Sequence, residues 1–466
     1  MRRRILGQYI HVSFAALAVF EALALFLALI AAAYLRFGLD IHAAQHVQGV
    51  LWPRALLYSA ATFTSLLAFG LYSARQRARS IGILVRVLAA VGAGVGLTAV
   101  GFFVIPSLDI GRGVLGVAAI MSVAAVCTMR ATLPRVVNED ALKRRVLVYG
   151  CARRATCIAN LRRRTDRRGF VVVGYVQPDG EQPHVPSEHM LDPRKKLLAI
   201  CHQLHVDEVV VAMDDRRKGF PILELLDCRL DGVEVTQLLT FLERETGRVR
   251  LDVLDPSWII FGGGCCRDSL RVFSSRALDL VASIAILCIS APVILLVAVA
   301  IKLEDGWRAP ILYRQARVGL GNQPFEILKF RSMRMDAERD GNAQWARKSD
   351  PRVTRVGAIM RKLRIDELPQ IVNVLRGHMS FVGPRPERPQ FVSQLASSIP
   401  HYLQRHCVKP GITGWEQLCY PYGSSEKDTV EKLQYDLYYI KNNSFIFDLA
   451  IILQTAEVVF MGKGSR

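Results

Sequence analysis

The chain has 466 residues, 51% of them hydrophobic, and a formal net charge of +19. That is longer than one ordinary domain, and so apolar a composition excludes an ordinary soluble globular chain and calls for membrane-embedded segments. The positive charge suits nucleic acid or anionic lipid. Beside apolar spans it reads as a cytoplasmic membrane face, and no nucleic-acid motif accompanies it, so no nucleic-acid partner is expected.

Arg2-Arg3-Arg4 opens an apolar run in the manner of a signal peptide. The run continues too long and lacks a small-residue cleavage site, so a retained first transmembrane helix is expected. Four apolar stretches, 12–35, 51–71, 83–105 and 113–129, are near the length a bilayer core requires. Arg2–Arg4, Arg75/Arg77/Arg79 and Arg130/Arg135/Lys143–Arg145 flank alternate ends, while the loops near Asp40 and Asp109 carry fewer cations. The positive-inside rule then puts both ends of a four-helix bundle, residues 1–135, in the cytoplasm.

From Arg145 the texture changes to strand–helix alternation. The strand 146–150 ends at Gly150, a helix is expected from 152 to 164, and further strands at 171–176, 208–212 and 233–235. This predicts a Rossmann-like, CoA-binding-like α/β domain over 140–262. A dinucleotide site would show GxGxxG, but Gly150-Cys151-Ala152-Arg153-Arg154-Ala155 keeps only the first glycine. Both a structural or regulatory domain and a nucleotide-binding one stay open. Gly262-Gly263-Gly264 marks its end, with Arg267, Arg271 and Arg276 beyond.

A fifth apolar stretch, 277–302, carries Pro292 near its middle. Proline removes a helix hydrogen bond and kinks the axis. Arg271 and Arg276 precede the stretch and Lys302 and Arg308 follow it. Cytoplasmic-type charge on both sides favours a re-entrant helix that bends at Pro292 and returns. Past it the chain is basic and loop-rich, with an amphipathic segment near 445–460 that either lies on the membrane surface or packs on the domain as a terminal helix. The ten cysteines, Cys265-Cys266 and the apolar-run Cys127 and Cys288 among them, show no metal or disulfide spacing. Reduced, mostly buried thiols in a cytoplasm-facing protein are expected.

Four blocks carry candidate chemistry. In Arg361-Lys362-Leu363-Arg364-Ile365-Asp366-Glu367 two carboxylates sit among cations. Arg361 and Arg364 should lower carboxylate pKa values and grip phosphate. Such a pair suits attack on phosphorus by one carboxylate and metal binding by the other, although alone it reads more often as a solvated face or a cap. Lys329-Phe330-Arg331-Ser332-Met333-Arg334, then Asp336, suggests a strand presenting cations. In Phe381-Val382-Gly383-Pro384-Arg385-Pro386-Glu387 two prolines stiffen Arg385, as bidentate phosphate binding requires, though an ordinary proline turn reads the same. Lys409-Pro410-Gly411-Ile412-Thr413-Gly414-Trp415 is a tight loop whose tryptophan either lines a site or is structural.

In order and spacing, from about Arg276 to the C-terminus, these blocks resemble the bacterial sugar transferase family of polyprenyl-phosphate phosphoglycosyl transferases. The upstream helices and α/β domain look like the large form of that family. Tyr420-Pro421-Tyr422-Gly423 and Leu433-Gln434-Tyr435-Asp436-Leu437-Tyr438-Tyr439 look like its exopolysaccharide branch. The resemblance implies a catalytic domain over 270–466 that moves a hexose 1-phosphate from a UDP-sugar to undecaprenyl phosphate in two ping-pong steps with loss of UMP. It would serve exopolysaccharide, capsule or O-antigen (lipopolysaccharide) synthesis at the bacterial inner membrane, facing the cytoplasm, in contact with membrane lipid and as a homodimer. Glucose is the favoured sugar and galactose the second.

Asp366 matches the family nucleophile, Glu367 the ligand of magnesium (Mg2+), Lys329 and Arg361 the nearby basic residues, and Arg385 the arginine of the proline turn. Arg331 and Arg364 are further phosphate-binding candidates. Three departures stand out: Ala291-Pro292 for Ser-Pro, with Ser290 a neighbouring candidate to satisfy the freed carbonyl; Gly377-His378 for Gly-Asp; and Glu416 for alanine after Gly-Trp. The rival reading is a non-catalytic membrane regulator, which would be free to lose Asp366, Glu367, Lys329 and Arg385.

Overall fold

The computed structural model describes residues 2–5, 8–36, 50–69, 71, 80–136, 143–161, 169–192, 195–215, 217, 219–254, 269–334, 352–420 and 425–460. Asp40, Arg75, Arg77, Arg79, Gly262 to Gly264, Cys265, Cys266, Arg267, Asp336 and Pro421 to Gly423 lie outside the described residues. The chain falls into two compact units, Met1–Gly247 and Arg248–Arg466.

The first unit opens with an antiparallel hairpin, β1 (Arg2–Ile5) and β2 (Gln8–His11). Helices α1 (Val12–Arg36), α2 (Leu51–Ala68), α3 (Ser80–Val104) and α4 (Arg112–Val136) follow, one for each apolar stretch. Large apolar side chains face outward, Phe103 and Ile120 among them, as on a helix surface covered by lipid. Polar groups turn inward instead. Tyr58 and Ser122 share a 2.8 Å hydrogen bond, and Ser59 donates to the carbonyl of Ala22 at 2.9 Å. Glu21, fully buried, meets Arg130 at 2.7 Å, and Arg130 also donates to the carbonyl of Leu71. A charge at membrane depth is retained when paired in this way.

Among the described residues four helices are long and apolar enough to cross a membrane, over Leu17–Arg36, Ile83–Val104, Arg112–Thr132 and Ser269–Asp305. Helix α2 is not one of them. It has 18 residues, and Arg54, Tyr58, Ser59, Thr62 and Ser65 lower its hydropathy below that of its neighbours. It packs on α1 and α3, close enough to α3 that a side chain at Gly94 would meet Thr62 Cα at 2.6 Å.

The rest of this unit is a five-stranded parallel sheet in the order β5-β4-β3-β6-β7, from β3 (Arg144–Tyr149), β4 (Phe170–Val176), β5 (Met190–Leu191), β6 (Glu208–Val211) and β7 (Glu234–Gln237). Helices α5 (Arg153–Ala159), α6 (Leu197–Gln203) and α7 (Ile222–Leu230) lie between the strands, and α8 (Leu238–Thr246) follows the last of them. Val146, Leu147, Val148, Val209 and Val210 are fully buried, the continuous apolar run of a parallel strand covered on both faces. Helix α5 is shorter than the expected 152–164, and β5 was not foreseen because two residues leave no pattern.

Gly150 has φ +130°, and a side chain there would strike the Ala212 backbone at 2.6 Å, a place only glycine fills. The N–H groups beyond it, where this kind of sheet can receive a phosphate, are taken by the protein's own carboxylates. Glu181 accepts from Cys151 N at 3.0 Å and Asp214 N at 2.9 Å, and Asp214 accepts from Arg154 N at 2.8 Å and Arg153 N at 3.3 Å. Glu181 and Asp214 thus tie the turn behind Gly150 to the segments that carry them.

The second unit is organised on helix α9 (Ser269–Asp305), which contains Pro292. Strands β8 (Leu312–Val318) and β9 (Pro324–Phe330) form an antiparallel hairpin with Tyr313 opposite Lys329. Then come α10 (Arg355–Lys362), α11 (Gln370–Leu375), β10 (Ser380–Val382), α12 (Pro389–Ser398), β11 (Gly411–Thr413), α13 (Trp415–Cys419), α14 (Glu426–Asn442) and α15 (Phe445–Phe460). Strands β10 and β11 pair in parallel. Buried Asn373 bolts α11 to the edge of β9, accepting from Leu328 N at 2.9 Å and donating to Glu326 O at 2.7 Å.

Both ends of α9 are gripped by this unit. Arg276 caps α11, donating to the carbonyls of Val374 and Leu375 at 2.6 Å each, and Asp279 accepts from Ser380 Oγ and Phe381 N. Toward the other end Glu304 takes the N–H groups of Arg355 and Val356, while Val297 and Ile301 pack with Phe330 and Met360. Between these grips Ile284, Ile289, Leu295 and Leu296 are exposed. Ser290 Oγ is buried without a hydrogen-bond partner, so Ser290 does not satisfy the carbonyl that Pro292 frees. α15 packs on α9 and β10, the packed-helix alternative for 445–460.

Candidate active site

The site forms where β9 ends and α10 turns into α11. Lys329 is the penultimate residue of β9. Thr354 caps α10, its hydroxyl accepting from Gly357 N at 2.9 Å, and Arg361 lies in the last turn. The chain then reverses through Arg364, which holds the left-handed conformation (φ +59°) at a non-glycine residue. Such strain costs of the order of 1 kcal/mol and persists where the surroundings demand it. The result is a single 3-10 turn, Ile365–Glu367, whose last two residues are the paired carboxylates. Leu368 closes the turn and Pro369 stands at the N-cap of α11.

Glu367 lies under three cations. Its Oε1 is 2.6 Å from Arg385, 3.6 Å from Lys329 and 3.8 Å from Arg364. Arg385 also reaches Gln417 Oε1 at 3.2 Å, so its planar fork spans two anchors. Burial works to raise the Glu367 pKa, but the charges of Arg385 and Lys329, with the Arg385 hydrogen bond, hold it well below the usual carboxylate range. Lys329 is pushed down by burial while Glu367 opposes that. Arg385 is held more firmly protonated by Glu367.

Asp366 behaves differently. Among the described residues it makes no ion pair or hydrogen bond, and its pKa is raised by burial and by the charge of Glu367, with Lys329, Arg361 and Arg364 pulling the other way. The expectation that the arginines lower both carboxylates thus holds for Glu367 and fails for Asp366, because desolvation outweighs attraction there. Adjacent acids whose environments push them apart are the mark of a division of roles.

Arg361 does not touch either carboxylate. It donates from Nε to Ser332 Oγ at 2.9 Å, which fixes it close enough to act on Asp366 through its charge. Arg331 lies just past the end of β9 and makes no ion pair with either carboxylate, while its NH1 is buried without a hydrogen-bond partner. Arg364 is half-exposed, at the mouth of the site. Trp415 is structural, packing edge-on against Phe447 with ring centres 5.2 Å apart and beside Tyr438. His378 is away from the pair, lining a cleft of about 420 Å³ with Arg314, Phe325 and Arg376. Glu416 is buried near Arg405, Lys432 and Arg385. Ser332 and Gln417, which hold Arg361 and Arg385, were not foreseen. Neutral hydrogen-bonding side chains give no charge signal in a sequence.

No three His, Cys, Asp or Glu side chains cluster as a metal cage among the described residues. A magnesium ion needs no such cage, being bound by one or two carboxylates together with substrate phosphates. Glu367 directs Oε1 to its cations and leaves Oε2 outside those ion pairs, so the donor set fits a shared cation of that kind.

Residues 270–462 match the family described as bacterial sugar transferase. Over 306 residues the chain is 43% identical to UDP-N-acetylgalactosamine-undecaprenyl-phosphate N-acetylgalactosaminephosphotransferase of Aeromonas hydrophila, covering 66% of this chain and 70% of the relative. Over 440 residues it is 32% identical to UDP-glucose:undecaprenyl-phosphate glucose-1-phosphate transferase of Xanthomonas campestris pv. campestris, covering 88% and 89%. This chain belongs to the bacterial sugar transferase family. Against the protein of the second name from Escherichia coli (strain K12), 42% identity is confined to 194 residues, 41% of each chain. In this bacterial sugar transferase the matched segment holds every residue of the carboxylate site. An enzyme embedded in membrane follows from family and apolar helices together.

Proposed function

We propose that this enzyme transfers a hexose 1-phosphate from a UDP-sugar to undecaprenyl phosphate and releases UMP. The observation that carries this is the asymmetric acid pair: Glu367 charged beneath Arg385, Lys329 and Arg364, beside an Asp366 that makes no ion pair or hydrogen bond among the described residues. An Asp366 oxygen attacks the β-phosphorus of the donor, the bond to the UMP oxygen breaks, and the sugar phosphate is left on the carboxylate. An oxygen of the polyprenyl phosphate then attacks the same phosphorus and Asp366 departs. Splitting one displacement into two is the gain of covalent catalysis. Lys329, Arg361 and Arg385 stabilise the negative charge that spreads over the transferring group. Glu367 would hold magnesium, which when bound supplies further charge neutralisation on the diphosphate.

The same reading makes α9 re-entrant. A crossing helix would part its ends by the roughly 30 Å of a bilayer core, whereas Arg276 and Asp279 at one end and Glu304 at the other all bind this one unit. The exposed apolar middle then dips into lipid and returns, keeping the carboxylates at the cytoplasmic interface of the inner membrane where a lipid phosphate lies. The homodimer belongs to this reading and is tested by crosslinking in native membranes. Glucose remains the favoured sugar, and the relatives named for glucose and for N-acetylgalactosamine set the panel. UMP release is measured with UDP-glucose, UDP-galactose and UDP-N-acetylgalactosamine, in membranes given undecaprenyl phosphate and magnesium. Release with one donor, absent in Asp366→Asn, is expected. Release that survives Asp366→Asn overturns the mechanism.

A further inference from the structure

Arg385 sits on a turn with no ladder of its own, since its flanking prolines carry no N–H. Four successive carbonyls of that turn are nevertheless all occupied. Pro384 O accepts from Gly411 N at 3.0 Å, Arg385 O from Arg405 NH2 at 3.0 Å, Pro386 O from Arg317 NH1 at 3.0 Å, and Glu387 O from Val318 N at 2.9 Å. Two of the donors are guanidinium groups, only 17% and 7% exposed for Arg317 and Arg405.

Each guanidinium is itself braced. Arg317 is held by Gln315 Oε1 at 2.7 Å and Glu387 at 3.4 Å. Arg405 is held by Asp436 at 2.9 Å and the Tyr402 hydroxyl at 2.8 Å, and lies 5.2 Å from the centre of the Tyr402 ring. Burying a cation is costly unless it is fully engaged. Neither arginine pairs with Asp366 or Glu367. What the two have in common is that they grip successive carbonyls, those of Arg385 and Pro386. A planar fork reaches a carbonyl and its own brace together, which an ammonium does less well.

We propose that Arg317 and Arg405 are positioning residues for the transferase reaction: a two-sided guanidinium clamp that holds the proline turn so that Arg385 meets Glu367 and the donor phosphate. The proposal rests on the sugar-phosphate transfer reading. It also assigns work to the Tyr435-Asp436 segment, whose aspartate braces Arg405 from α14.

The test is single-turnover UMP release by Arg317→Lys and Arg405→Lys, each alone and combined with Arg385→Lys. Exposed Arg314→Lys on the same strand serves as a control and should be unchanged. A misplaced catalytic group costs on the order of 10- to 100-fold, and each clamp variant should lose about that much. If the clamp acts only through Arg385, the same substitution in the Arg385→Lys background should cost less than about twofold, because coupled residues are not additive. Equal losses in both backgrounds, or no loss in the first, overturn the clamp. Arg317→Lys carries the test should Arg405→Lys fail to fold. A wild-type protein that releases no UMP sinks the transfer reading instead. The clamp is then judged by backbone amide exchange across residues 383–388, faster in both variants if it exists and unchanged if it does not.

Discussion

Glu367→Gln removes one charge from the centre of a cation cluster and should be felt first at Lys329. The Lys329 nitrogen is 3.6 Å from Glu367 Oε1, and its side chain is 20% exposed. At that distance and an effective dielectric constant of about 20, Coulomb's law gives about 4.6 kcal/mol. Arg385 and Arg364 compete for the same oxygen and solvent reaches the lysine, so roughly half, about 2 kcal/mol, is the expected effect. The sign follows from the groups. Burial already lowers the Lys329 pKa and the Glu367 charge holds it up, so removing that charge lets the lysine lose its proton at lower pH. Competitive acetylation of Lys329 across a pH series, read by mass spectrometry, measures this without any turnover. The labelling midpoint should move to lower pH in Glu367→Gln. A midpoint that stays where it is in the unsubstituted protein, or rises, refutes the cluster as described.

Asp366→Asn should abolish both UMP release and trapping of a sugar-phosphate adduct, and near-normal release would count against covalent attack. The Asp366 pKa is raised by burial and by Glu367, so UMP release should fall away on acidification at a pH above the ordinary carboxylate value; an acid limb below it would contradict that. Asn373→Ala leaves the buried Leu328 N–H without its 2.9 Å partner, an expected loss of about 1–3 kcal/mol, visible as a lower melting temperature in detergent and absent if α11 is not bolted to β9. If α9 re-enters, a membrane-impermeant amine reagent should label Lys302 only from the cytoplasmic side; periplasmic labelling would show a crossing helix.

Much of this protein is legible along the chain because the signals are local. Apolar length marks α1, α3, α4 and α9, since a bilayer demands about 20 apolar residues in a row. Strand–helix alternation marks the parallel sheet, and the Asp366-Glu367 pair stands out through the density of charge around it. The four motif blocks suffice for the family resemblance. Only the tertiary structure decides how those blocks work. Which acid is held ionised depends on Arg385, 18 residues beyond Glu367 in sequence and 2.6 Å from it in space. That Asp214 and Glu181 engage the N–H groups behind Gly150 depends on loops about 30 residues apart. That Arg317 and Arg405 grip one turn depends on a strand and a short 3-10 helix with no shared pattern. Sequence determines what local length, period and charge impose. Burial and long-range pairing arise only once distant segments are packed, and it is these that set the carboxylate roles on which the proposed chemistry rests.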